Sequence, residues 1–394
     1  MKYALACVLI LWTAAAASAE PSVTIRVNGP AANRVGVTIL GDGYTQAEQG
    51  KFAADVETLV NAFFNQSPYL EYANYFNVYR VDVVSNESGS DHPERNVLRD
   101  TALGSSYNCG ANIRSLCVNT SLVNAVLSRS VPIEARDLVM VLVNDPEYGG
   151  SGGSVLVAST HPSVVELALH ESGHTFGRLA DEYDTTPPVC NNSIEPAELN
   201  VALDISFQRI KWAHWLAAST PLPTQGSQLG LVGAYQGAKY CVIGLYRPTF
   251  DSKMRSLNRP FESVNSEQIV RRIYNFVSPI DGVSPSSTSL APAPGAIVDF
   301  SVSTPTLAVP PLRVRWSING TSAGEGRTLR LNTSTLPAGT HVVQVEVTDQ
   351  TPLVRSDPTG LLAARHSWTV ATTPGSPDPL RQALEDLLRQ WRNR

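Results

Sequence analysis

The spacing of apolar positions divides this chain into a mixed first part and an all-strand second part. Val23 to Val27 alternates weakly, as a first strand or a short extension. Val35 to Leu40 is a β-branched apolar run of the buried-strand kind. It ends at Gly41-Asp42-Gly43-Tyr44-Thr45, where Thr45 can cap a helix and Glu48 can complete a capping box. Phe52, Val56, Leu59, Val60 and Phe63 then recur at helical spacing and predict a helix packed on a sheet. Phe76 to Val84 alternates as a second strand, and Asp137 to Asn144, nearly all apolar, predicts a central one. A glycine-rich approach, Tyr148 to Ser159, leads to a short strand and predicts a sheet edge along a cleft, where a peptide could add by main-chain hydrogen bonds. Pro162 opens a helix buried through Val164, Val165, Leu167, Ala168 and Leu169. This order predicts an α/β domain with a mostly parallel twisted sheet, an antiparallel edge strand and a helix beside that edge.

After Glu267 to Phe276, a helix that closes this first domain, the pattern changes. Ser, Pro and Ala dominate a linker at 281–294. Short alternating strands follow, at Ala296 to Val302, Leu312 to Ile318, Thr328 to Leu331, His341 to Val347 and His366 to Val370. They predict an all-β, immunoglobulin-like sandwich over 295–371, with Trp316 in its core. In the tail, 372–394, Leu380, Leu384, Leu387, Leu388 and Trp391 form one helical stripe flanked by arginines. Docking on the protein itself is expected of it rather than a membrane-surface role.

Charge adds exclusions. Charged residues make up 16% of the chain, the formal net charge is −5, and no basic stripe exists, so nucleic acid is not an expected partner. Residues 1–19 read as a signal peptide: Lys2, an apolar run from Ala4 to Ala17, and the small-x-small site Ala17-Ser18-Ala19. Cleavage would leave a secreted or periplasmic chain starting at Glu20, and the run is short for a stable membrane span. The exported chain keeps Cys109, Cys117, Cys190 and Cys241, which suggests the disulfides Cys109–Cys117 and Cys190–Cys241. The first domain then covers 20–280.

The chemistry concentrates between Leu167 and Tyr183. His170 and His174 stand four residues apart, one turn of a helix, so both rings share a face and suit one tetrahedral zinc. Glu171 between them can act as general base on a metal-held water. A third protein ligand is needed, and Asp181 is the expected one. On an unbroken helix Asp181 would lie about 16 Å along the axis from His170, so the helix must stop. Gly177 is expected to permit that stop by taking the left-handed cap conformation. Glu182 and Asp184 are rival ligands, and Glu195 or Glu198 would serve if the helix ran on. In metzincins the third ligand falls ten residues after the first His; that position here is Ala180, so Asp181 is displaced by one. Met254 is a candidate floor under the metal, and Tyr183 or Tyr246 a candidate oxyanion partner. His214, among tryptophans, reads as packed.

Gly-Asp-Gly-Tyr-Thr at 41–45, the strand 76–84, His-Glu-Ser-Gly-His-Thr-Phe-Gly-Arg-Leu-Ala-Asp-Glu-Tyr at 170–183, Tyr-Arg-Pro from 246 and Met-Arg-Ser-Leu-Asn-Arg-Pro-Phe at 254–261 together resemble the M64 metallopeptidases, the IgA peptidase family. The resemblance spans roughly residues 33–275. It implies a metzincin-like domain, zinc held by His170, His174 and Asp181, Glu171 as base and endopeptidase activity. Members often carry a Cys near the Met-turn, where this chain has Ser252 and Lys253. The expected function is that of a secreted zinc endopeptidase, a monomer, acting on protein or glycoprotein. The alternative is a non-catalytic surface or carbohydrate-binding protein with a structural zinc.

Overall fold

The computed structural model describes residues 19–110, 113–185, 193–307, 311–373 and 379–392. The signal-peptide expectation therefore falls almost wholly outside the described residues, as does Cys190 of the expected Cys190–Cys241 pair. Among the described residues no helix is long and apolar enough to cross a membrane.

The first part builds one six-stranded sheet from β1 (Ser22–Arg26), β2 (Val35–Asp42), β3 (Phe76–Val81), β4 (Leu138–Val143), β5 (Gly150–Ser151) and β6 (Leu156–Ser159), in the order β1-β3-β2-β4-β6-β5. β2 pairs in parallel with β3 and β4, and β4 with β6. Both edge strands run antiparallel, β1 on β3 and β5 on β6. Every residue of β2 and β4 is buried, as expected of strands covered on both faces. Thr45 and Glu48 form the expected capping box, first around a 3-10 turn and then into α1 (Gln49–Phe63). The five apolar residues read from spacing are the buried ones of α1. Helix α2 (Thr120–Ser130), capped by the Asn119 side chain, covers the other face through Val123, Val126 and Leu127.

Helix α3 (Val164–Thr175) follows β6 and packs Val164, Val165, Ala168 and Leu169 into the main core, while Leu167 lines the cleft. Next come a hairpin, β7 (Tyr235–Ala238) and β8 (Cys241–Arg247), and α4 (Glu262–Tyr274), which underlies α3 with Ile269, Val270 and Ile273.

The second part holds two sheets around one core. The strands are β9 (Gly282–Ser284), β10 (Ser289–Leu290), β11 (Ile297–Ser303), β12 (Arg313–Ile318), β13 (Thr321–Glu325), β14 (Thr328–Asn332), β15 (Gly339–Thr348) and β16 (Ala363–Thr372). Their orders are β10-β16-β15-β12-β13 and β14-β11-β9. Phe300, Trp316, Trp368, Val343, Val345 and Val347 fill the space they share. The stretch read as a linker is not free chain: β9 pairs with β11 and β10 with β16.

Among the described residues several buried contacts join the parts, including an ion pair of Arg34 with Asp281 (2.6 Å). Asp349 accepts hydrogen bonds from Tyr72 (2.5 Å) and Tyr274 (2.8 Å) of the first part. Glu267, on α4, accepts from the main chain of Arg355 and Ser356, both 2.8 Å, and from His214 and Trp215. His214 is thus tied to this junction through Glu267, though it stays exposed rather than packed as expected. The tail forms α5 (Pro379–Arg392), but Leu384, Leu387, Leu388 and Trp391 stay exposed, so the expected docking of that stripe is not seen.

Candidate active site

Spacing on α3 brings His170 and His174 together, with their Nε2 atoms 3.2 Å apart. Each ring is oriented from behind. His170 Nδ1–H donates to the carbonyl of Lys253 and His174 Nδ1–H to that of Leu179, both at 2.8 Å. A carbonyl can only accept, so this fixes the tautomer and turns both Nε2 lone pairs outward.

The helix does stop, yet Gly177 is not the left-handed residue. Arg178 is, with φ +56°. The main chain of Arg178 donates to His174 (3.1 Å) and that of Leu179 to Gly173 (2.8 Å), which closes the last turn. Gly177 is needed for space: a Cβ there would stand 2.7 Å from the carbonyl oxygen of Gly173 and 3.3 Å from Ile269. The physical reason for the shift is that α4 presses on the turn at 177, while residue 178 faces outward and tolerates a large side chain. Leu179 packs into the core beneath the turn.

The reversal carries Asp181 back to the histidines. Its Oδ1 lies 3.2 Å from His170 Nε2 and 3.1 Å from His174 Nε2, and these three are a group whose ligand atoms could hold one metal ion. The rival Glu182 points the other way. It is fully buried and accepts from Ser252 (2.6 Å), Asn265 (2.8 Å) and Asn200 (2.9 Å). Asp184 pairs with Arg255, Glu195 with Lys211 and Glu198 with Lys239.

Charge in the cluster follows from these contacts. Burial pushes the Asp181 carboxyl up, but hydrogen bonds from His170 and His174 outweigh it and hold the group far below the carboxylate range. Burial pushes the His174 imidazole down, and the hydrogen bond to Asp181 reverses this, raising it to about 9. Glu171 lies beside the cluster, with its carboxyl raised by burial against the opposing pull of the two histidines.

The floor comes from distant sequence. Met254 is fully buried under α3, and a Cβ at Gly173 would collide with its sulfur. The main chain of Glu182 donates to the Met254 carbonyl (2.8 Å), which joins the third-ligand segment to the segment that orients His170. Lys253 is buried and paired with Glu166 at 2.6 Å, on the first turn of α3.

Tyr240 was missed by sequence reading. Its hydroxyl donates to Asp181 Oδ2 at 2.7 Å and it faces the cleft. Lys239 and Tyr240 form the two-residue turn of the β7–β8 hairpin with φ +48° and +65°. Asn-Gly usually signals such a turn, and Lys-Tyr carries no such cue. Tyr183 lines the cleft and donates to Tyr240 (3.2 Å), whereas Tyr246 packs near Trp212 away from it.

The cleft over these groups has a volume of about 980 Å³ and is bounded by β5, α3, the Asp181 segment and Tyr240. Glycine lets β5 approach: a Cβ at Gly152 would stand 2.7 Å from Glu171 Oε2 and 3.1 Å from His174 Cβ. The expected Cys109–Cys117 disulfide is present on the same side, with Cα atoms 6.1 Å apart.

A mixed sheet, a helix carrying two histidines and an acid, and a returning carboxylate define a peptidase-type cleft, and comparison with known families agrees. The model of the IgA peptidase M64 family matches residues 23–229, more than half of the chain and all of the His170–Asp181 segment. The chain belongs to the M64 peptidase family. No curated protein matches it.

Proposed function

We propose that this protein is a secreted, zinc-dependent endopeptidase, with zinc held by His170, His174 and Asp181 and with Glu171 as general base. The observation that carries the reading is the triangle of outward-facing ligand atoms, 3.1–3.2 Å on each side. Tetrahedral zinc with bonds of about 2.0–2.1 Å sets its ligand atoms about 3.4 Å apart, so the residues fit that ion. Two imidazole lone pairs and a carboxylate aimed at one point also repel one another unless a cation lies between them. When bound, zinc supplies Lewis-acid polarisation of the scissile carbonyl and lowers the pKa of water.

Glu171 takes a proton from the water that attacks the carbonyl carbon. It then passes that proton to the amine nitrogen as the C–N bond breaks. His170 and His174 keep their Nδ1 protons on main-chain carbonyls and would spend their Nε2 lone pairs on the metal, so neither would compete as the base. Met254 and Tyr240 position the ligand set from below and from the side. We read residues 20–280 as a metzincin-like peptidase domain and 295–371 as an immunoglobulin-like unit, with export supported by the Cys109–Cys117 disulfide. The substrate is protein or glycoprotein.

The rival reading, a structural zinc in a binding protein, is disfavoured by an acid beside the triangle and an open cleft above it, since structural sites are closed. Digestion of casein and of a glycoprotein by the purified chain, with and without chelator, separates the two. Chelator-sensitive cleavage within the chains supports the peptidase. A zinc-loaded protein that cleaves neither contradicts it.

A further inference from the structure

Lys253 touches α3 with both of its ends. Its ammonium donates to Glu166 Oε2 at 2.6 Å, and its main-chain carbonyl accepts from His170 Nδ1 at 2.8 Å. Glu166 and His170 stand four residues apart on one face of the helix, about 6 Å along its axis. One residue is therefore fixed to α3 at two points a single turn apart. The next residue, Met254, adds a third, since its sulfur lies against Gly173.

The ammonium end is closed by further groups. Gln66, in the connection after α1, accepts from Lys253 Nζ at 3.0 Å and donates to Glu166 Oε1 at 2.7 Å. The Asn258 N–H donates to Glu166 Oε2 at 2.7 Å. The Lys253 side chain is 1% exposed, with Nζ 6.0 Å from the centre of the Phe261 ring. Taking an ammonium out of water is costly, and a buried ion pair seldom stabilises a fold more than an apolar pair of the same size. What this pair supplies is direction: it sets where the Lys253 carbonyl points. His174 is held differently, by the Leu179 carbonyl of the turn that follows α3.

We propose that Lys253 is a positioning residue for the metal site: its buried pair with Glu166 fixes the carbonyl that orients His170, and leaves His174 to another segment. The inference rests on the zinc reading for its effect on affinity, whereas the orientation is measurable in the metal-free chain. The test compares the wild type with Lys253→Met, Glu166→Gln and the double variant. Methionine keeps the length of the side chain and leaves Glu166 its Gln66 and Asn258 donors. Glu166→Gln keeps the shape and removes the charge, and it carries the same test if the methionine variant does not fold. Exchange of the imidazole N–H protons with water is followed by NMR, each ring being assigned by substitution, and zinc affinity by chelator competition. In Lys253→Met the His170 Nδ1–H should exchange at least about tenfold faster, and that of His174 should change less than about twofold. Zinc affinity should fall about 10–100-fold. The double variant should bind zinc no worse than Lys253→Met, because its second change removes a partner already lost. A folded variant with wild-type exchange at His170 overturns the inference, and so does equal acceleration at His174, which would mean general loosening. Faster exchange at His170 with zinc affinity unchanged overturns the part that concerns the metal. Faster exchange at His170 in a protein whose wild type binds no zinc supports the orienting role and overturns the zinc reading instead.

Discussion

Glu171, half-buried, and Glu182, fully buried, are both acids near the His170–His174–Asp181 cluster, yet their neighbours give them different work. Glu171 has the two histidines and the cleft beside it and, among the described residues, no hydrogen-bond donor to its oxygens. It is left able to take and give a proton. Glu182 is saturated by Ser252, Asn200 and Asn265 and braces the segment behind Asp181. Glu171→Gln should therefore fold and load metal normally but lose about 10³-fold in kcat, measured on a fluorogenic peptide beside metal analysis. Glu182→Ala should leave three donors without an acceptor and lower stability by about 3 kcal/mol in denaturant unfolding. Gly152→Val should keep the metal and lose activity, because its side chain meets the Glu171 carboxylate at the cleft wall.

On the scale of elements, the end of α3 is the decisive piece. His170, His174 and Glu171 were legible because a helix maps spacing directly onto position. The need for a break was legible too, since distance along a straight helix excludes Asp181. Which residue turns left-handed was not, because that depends on α4 pressing against Gly177 from residue 269, far away in sequence. The same separation hid Tyr240, the carbonyl of Lys253 and the bridge of Ser115 to Gly150 of β5. α2 was missed because its moderate pattern gives no strong stripe, and β9 and β10 because Ser- and Pro-rich chain reads as linker. Two substitutions separate the roles at the turn. Arg178→Gly relieves a left-handed non-glycine and should stabilise by up to about 1 kcal/mol with activity kept. Gly177→Ala should destabilise by about 1–3 kcal/mol and weaken metal binding, read by thermal unfolding and zinc titration.

Across the whole molecule, the all-strand second part is attached to the first part through buried polar groups rather than a free linker. Burial raises the Asp349 carboxyl despite the hydrogen bonds from Tyr72 and Tyr274. A carboxyl whose folded pKa exceeds its unfolded value contributes stability fully below the unfolded value, near 3.8, and loses it as pH rises through the raised folded value. Asp349→Asn should accordingly flatten the decline of unfolding temperature with pH above about 4, seen by calorimetry across a pH series. An unchanged slope would place the junction's pH response elsewhere. Arg355 over Trp215, 4.1 Å from the ring, adds a cation–π contact to the same seam.

We propose that His170, His174 and Asp181 form one metal site. Zinc stoichiometry of the purified chain after equilibrium dialysis, compared with Asp181→Ala, tests this most directly. One zinc per wild-type chain and an affinity at least about 100-fold weaker in Asp181→Ala are the predicted results. Equal zinc content and affinity in the two proteins would contradict it.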